Sequence, residues 1–156
     1  IDIGAEREPP ANKVEVGERL AHWALHHDYG RKDILPSGPL YQGCEIEGKT
    51  IRISFDHAQG LMFASKEDYA PPVPTPEAKI PWLSIQAKDG TWHWAEGQID
   101  DQDLIVSSKE VKEPVAVRYA YTNRPLGPYL YNKDGERFMW RYDPERGDGA
   151  TRLLFQ

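Results

Sequence analysis

Glu18, His22 and His26 stand every fourth residue in EVGERLAHWALHHDYG, a spacing that stacks side chains on one face of a helix. Histidine and carboxylate on one face is also how some zinc sites are built. No fourth ligand is implied, however, and the three share the polar arc of the helix, where a solvated face accounts for them. Nucleophilic chemistry is no better supported. Ser37, Ser54, Ser65, Ser84, Ser107 and Ser108 fall in strands or polar turns, and none has the G-x-S-x-G setting that exposes a nucleophilic serine. Alternation sends Ser54 and Asp56 to the same side of a strand, so their closeness to His57 is a short-range coincidence. His57 itself, in FDHAQGL, reads as a structural hydrogen-bonding residue in a loop after a strand. Asp89 and the run Asp100-Asp101-Gln102-Asp103 lack the ligand spacing of a calcium loop and read as turn residues. Cys44 alternates with core positions and reads as a small buried hydrophobe. These residues imply no metal and no cofactor.

The aromatic residues carry more. Trp82, Trp92 and Trp94 cluster around one hairpin, and Trp92 and Trp94 fall on the same face of a strand. Exposed aromatic rings stack on sugar rings, so the three are candidate glycan-binding residues. Aromatic side chains also dominate the cores of sandwich domains through the area they bury. The two readings differ in one observable, whether Trp92 and Trp94 project together into solvent.

The elements that position these residues follow from periodicity. Asn12 is a good N-cap, with Glu15 three residues on, and Gly30 suits the left-handed position after a helix end. A helix is expected from Lys13 to about Tyr29. Its apolar arc (Val14, Val16, Gly17, Leu20, Ala21, Trp23, Ala24, Leu25, His27) covers half the circumference or slightly more. That is wider than a helix lying on one small sheet uses, and it suits burial between two partners.

From Leu40 the period becomes two. Leu40 to Ile46, Gly48-Lys49 and Ile51 to Phe55 form one expected hairpin, and Trp82 to Lys88, Asp89-Gly90 and Thr91 to Glu96 a second. Leu104 to Ser107 follows the turn at 100–103, and Pro114 precedes the alternation Val115, Val117, Tyr119, Tyr121. The proline-rich stretch 64–81 is expected to be a loop or an edge segment. Six or seven short strands imply a mainly β chain, an antiparallel β-sandwich (Ig-like or jelly-roll-like) preceded by one long N-terminal α-helix.

Composition narrows the partners. The 156 residues carry a net charge of −6, which opposes a nucleic-acid surface built from clustered Lys and Arg. No apolar run approaches the roughly 18 residues that span a bilayer. One cysteine excludes an internal disulfide. Because the chain opens on Ile1 and not on methionine, the lack of a visible leader has no bearing on compartment.

The segments NKVEVGERLAHWAL, YG, SGPLYQG, IRISFDHAQGL, VSSKEVKEPVAVRYAYTNRP and LYNKDG follow one another in order over roughly residues 1 to 137. This succession resembles the C-terminal part of sialate O-acetylesterases, members of the SGNH (GDSL-like) hydrolase superfamily. The resemblance implies removal of O-acetyl groups from sialic acids by a serine nucleophile and a histidine base. In the family the serine lies early, in a glycine-flanked motif that this chain does not contain. The histidine lies in an Asp-Ile-His-Pro loop just before the Asn-Lys that opens the last helix. Here Arg7-Glu8-Pro9-Pro10-Ala11 precedes Asn12-Lys13. Pro10 matches the family's proline, and Pro9 stands at the histidine position, in a loop one residue shorter. The expectation is that this chain alone hydrolyses no acetyl ester.

The resemblance divides the chain into residues 1–33, a remnant of an α/β hydrolase domain; 37–124, the β-sandwich; and 125–156, an aromatic-containing tail packed on it. Residues 138–156 depart from the family. The implied partners are an upstream hydrolase domain, or another copy of the chain, meeting the helix; the implied compartment is periplasmic or secreted. Two other functions remain open: a carbohydrate-binding sandwich acting alone, and a degenerate family member with only an interaction role.

Overall fold

The computed structural model describes residues 13–67, 70–77, 79–80, 82–121, 127–133 and 153–154. The expected strand end at Ile1–Gly4, the cap at Asn12, the Pro9-Pro10 loop and most of the tail, including Phe138, Trp140 and Tyr142, lie outside the described residues. The chain is mainly β and sandwich-like: one N-terminal helix and three antiparallel sheets packed together.

Helix α1 spans Lys13–His27. It ends where Gly30 takes a φ of 69°, a left-handed conformation that glycine adopts without a Cβ penalty, and the Arg31 N–H turns back to the Leu25 carbonyl. The helix is tied to the end of β3 by an ion pair between Glu15 and the half-buried Lys66, and to its own following loop by His26 Nδ1, 2.6 Å from the Ile34 carbonyl oxygen.

The first sheet joins β1 (Leu40–Glu47), β2 (Thr50–Asp56), β7 (Glu96–Asp100) and β8 (Asp103–Ser107) in the order β1-β2-β8-β7. The hairpin expected around Gly48-Lys49 is present, with Cys44 opposite Ile53 and Ile46 opposite Ile51. On the outer face Arg52 of β2 ties all four strands together, meeting Glu47 at 2.8 Å, Asp100 at 2.9 Å and Asp103 at 3.2 Å. Glu47, Asp100 and Asp103 thus serve this cation and hold the guanidinium's proton even more firmly than usual.

The second sheet is β10 (Tyr129–Tyr131), β3 (Met62–Ser65) and β4 (Val73–Pro74), in that spatial order with β3 central. The proline-rich stretch therefore contributes one two-residue edge strand, the place where a missing N–H is tolerated. The third sheet is β11 (Leu153–Leu154), β9 (Pro114–Tyr119), β5 (Leu83–Ala87) and β6 (Trp92–Trp94).

The first and third sheets face one another, β2 against β9 and β5 against β7. Ile51, Ile53, Leu104 and Val106 meet Leu83, Ile85 and Val117, all at most 2% exposed, in one continuous cluster. Each such side chain contributes about 1.5–3 kcal/mol relative to its exposed state.

Strands β3, β7, β10 and β11 carry no strand expectation from the sequence. At β7, Glu96, Gln98 and Asp100 face outward, while the inward positions are Gly97 and Ile99, only one of which carries an apolar signal. The approach at Gly97 is close: a Cβ there would stand 2.9 Å from the Ile80 Cδ1, 3.0 Å from the Leu83 Cδ2 and 3.1 Å from the Leu104 Cδ1, so those methyl groups would have to shift. At β10 all three residues are buried, so no alternation marks the strand. The Leu130 N–H donates to the Tyr119 hydroxyl at 3.1 Å, fastening β10 to the end of β9.

Candidate functional site

The outer face of the third sheet gathers the aromatic residues. Register places Trp94 opposite Ser84 and Ser84 opposite Arg118, while Trp92 stands opposite Gln86. Leu83 and Ile85 point inward and are wholly buried, so Ser84, Gln86, Trp92, Trp94 and Arg118 share the outer side. Trp94 is 71% exposed, and Trp92 and Trp82 are half-buried. Trp82 braces Trp94 in an edge-on contact with ring centres 6.3 Å apart.

Arg118 was not singled out in the sequence, yet it organises this face. Its guanidinium carbon lies 3.7 Å from the Trp92 ring centre and 4.8 Å from that of Tyr121, the geometry of a cation–π stack. Among the described residues nothing accepts a hydrogen bond from it, and its Nε is buried. A buried donor without an acceptor costs about 1–3 kcal/mol.

Tyr121 departs from the expected alternation. Strict alternation would turn it inward with Val117 and Tyr119, but it is 52% exposed beside Arg118. The cause is the backbone at Ala120, whose φ of 52° breaks the alternation. Trp82 is likewise left-handed, at 64°, and its carbonyl accepts the Ala120 N–H at 2.9 Å. Two non-glycine residues in a conformation that L side chains rarely adopt thus face each other at the edge of the aromatic surface, where such strain commonly accompanies function.

The other residues read from the sequence are dispersed. His57 has a φ of 59° in the turn after β2, and its carbonyl accepts from the buried Asn132 Nδ2 at 3.1 Å. Among the described residues no three His, Cys, Asp or Glu side chains are grouped to hold a metal. The reading of Glu18, His22 and His26 as one solvated face is corrected: Glu18 is exposed, but His22 and His26 are half-buried, as are Glu15 and Arg19. Cys44 is half-buried within reach of the Tyr41 hydroxyl, and burial pushes its thiol pKa up. His93 Nδ1 lies 2.6 Å from Glu110, a pair the sequence reading did not connect.

The helix is turned against its own amphipathicity. No residue of α1 is buried; Val14 is 62% and Leu20 67% exposed, and Trp23, stacked on His27 at 4.6 Å, is exposed as well. The half-buried side holds Glu15, Arg19, His22 and His26 together with Val16, Ala24 and Leu25, while the other six residues of the apolar arc face outward. Among the described residues no helix is long and apolar enough to cross a membrane.

Fold and surface together define a sandwich-like β module with an aromatic outer face and a helix whose apolar side is uncovered. A solved structure matches this module: XAC1771, a carbohydrate acetylesterase from Xanthomonas citri, with a TM-score of 0.73 and 31% sequence identity. The match covers 88% of this chain but 30% of that one, so the chain corresponds to a region of a larger esterase structure. No family model matches the chain, and no curated protein does.

Proposed function

We propose that this chain is the C-terminal accessory region of a carbohydrate acetylesterase of the sialate O-acetylesterase kind, bracing a catalytic domain through α1. The observation that carries the reading is the match of nearly the whole chain to 30% of a carbohydrate acetylesterase. The outward apolar side of α1 supports it, since Val14, Leu20 and Trp23 bury their area only against another body. Catalysis belongs to the rest of the parent protein: no serine of this chain stands in a nucleophile setting, and Pro9 occupies the histidine position. The test is acetate release from O-acetylated sialic acid, an acetylated neutral oligosaccharide and an aryl acetate. Residues 1–156 alone are expected to release none, and the product of the full reading frame is expected to release it from a carbohydrate. Release by residues 1–156 alone overturns the assignment, and the preferred carbohydrate separates a sialate esterase from another kind.

A second reading is favoured by the exposure of Trp94: the outer face of the third sheet is a glycan-binding platform. Binding of an oligosaccharide that is lost in Trp94→Ala tests it.

A further inference from the structure

Most of the platform is aromatic, and aromatic rings alone take neutral and charged sugars alike. Arg118 adds a preference. Stacking on Trp92 and Tyr121 engages the faces of the guanidinium and leaves the in-plane N–H groups of its two terminal nitrogens, while the buried Nε finds no acceptor among the described residues. An arginine held in this way presents a planar fork that matches a carboxylate with two parallel hydrogen bonds. Its position relative to Trp94 matters as much. The two lie in one cross-strand row with the small Ser84 between them, two strand spacings or about 10 Å apart. A sugar ring stacked on Trp94 therefore extends across Ser84 toward the fork, with no bulky side chain in that row. The left-handed turns at Trp82 and Ala120 hold the ends of the surface, bringing Trp82 to Trp94 and Tyr121 to Arg118.

We propose that this face binds glycans bearing a carboxylated pyranose, with the sugar on Trp94 and the carboxylate on Arg118. The inference rests on the platform reading above and specifies its ligand class. The chain's net charge of −6 disfavours acids in general, so a preference for an acid has to arise at this cation.

The test compares cellobiouronic acid, its methyl ester and cellobiose against the chain by titration calorimetry or ligand-observed NMR. The acid is expected to bind about ten- to a hundredfold more tightly than either neutral sugar, the range for a charge-assisted pair. Arg118→Gln is expected to erase that advantage, and Arg118→Lys to keep only a small part, with the melting curve checking that each variant folds. The ester comparison needs no variant. Equal binding of acid and ester overturns the carboxylate assignment and leaves the platform standing. Failure of all three sugars to bind removes both.

Discussion

The side-chain amide of Asn132 donates to the carbonyl oxygen of His57 at 3.1 Å, joining residues 75 positions apart. Asn132 is wholly buried at the end of β10, and the carbonyl belongs to a turn held in a left-handed conformation. The Lys133 N–H meets the Gln59 carbonyl beside it, and Gly60 packs so closely on Lys133 that a Cβ would lie 2.8 Å from the lysine's own. Asn132→Ala leaves buried groups without partners and is expected to lower stability by about 1–3 kcal/mol. Denaturant unfolding monitored by tryptophan fluorescence measures this; a loss under about 0.5 kcal/mol would mean that the bond is not structural.

Gly97 lets β7 approach the core. Gly97→Ala pushes a methyl group against the side-chain ends of Ile80, Leu83 and Leu104 together, all buried, and is expected to cost about 1–2 kcal/mol. Gly97→Val should cost more. An unchanged midpoint for the alanine variant would show that the two sheets separate easily at this point.

Cys44 is expected to react slowly with iodoacetamide at neutral pH, because burial raises its thiol pKa and the thiolate is the nucleophile. The sign for stability follows. A raised folded pKa stabilises fully below the unfolded value, near 8.5, and that contribution is lost as pH rises through the folded value. The pH profile of alkylation by mass spectrometry should therefore rise later than that of a free thiol; a profile matching free cysteine refutes the effect.

For the helix, Val14→Glu combined with Leu20→Glu changes two exposed positions with little cost in helix propensity. The isolated chain's stability should move by no more than about 0.5 kcal/mol. In the full-length protein the same pair should impair folding or acetate release, because two charges then face an apolar partner surface. Unchanged behaviour of the full-length variant would place the contact elsewhere.

Trp94→Ala is expected to leave the melting temperature within a degree or two of the parent, since the ring is mostly outside the core. Its effect should appear in glycan binding, weakening acidic and neutral sugars by the same factor. Arg118→Gln should act on the acid alone. A selective loss in Trp94→Ala would reverse the two roles.

What the sequence determined by itself is what period and local chemistry encode. The helix from Lys13, its end at Gly30, the hairpin at Gly48-Lys49 and the inward Ile51, Ile53, Leu83, Ile85 and Val117 were all legible, because burial on one side imposes alternation. The pairing of Trp92 and Trp94 on one face was legible for the same reason. Tertiary structure decided the rest. Strand β7 alternates in burial, but one of its two inward residues is glycine, which leaves Ile99 as its one apolar signal, and β10 carries no alternation because it is buried throughout. Tyr121 lies outside because Ala120 takes a positive φ, which a count of two cannot register. Arg118 drew no notice as one arginine in a strand; its place over Trp92 arises only when β9, β5 and β6 lie side by side. The direction of α1 was likewise undecided by its wide apolar arc. In the folded chain the side of the helix bearing Glu15 meets Lys66, a partner far along the sequence that no helical period marks.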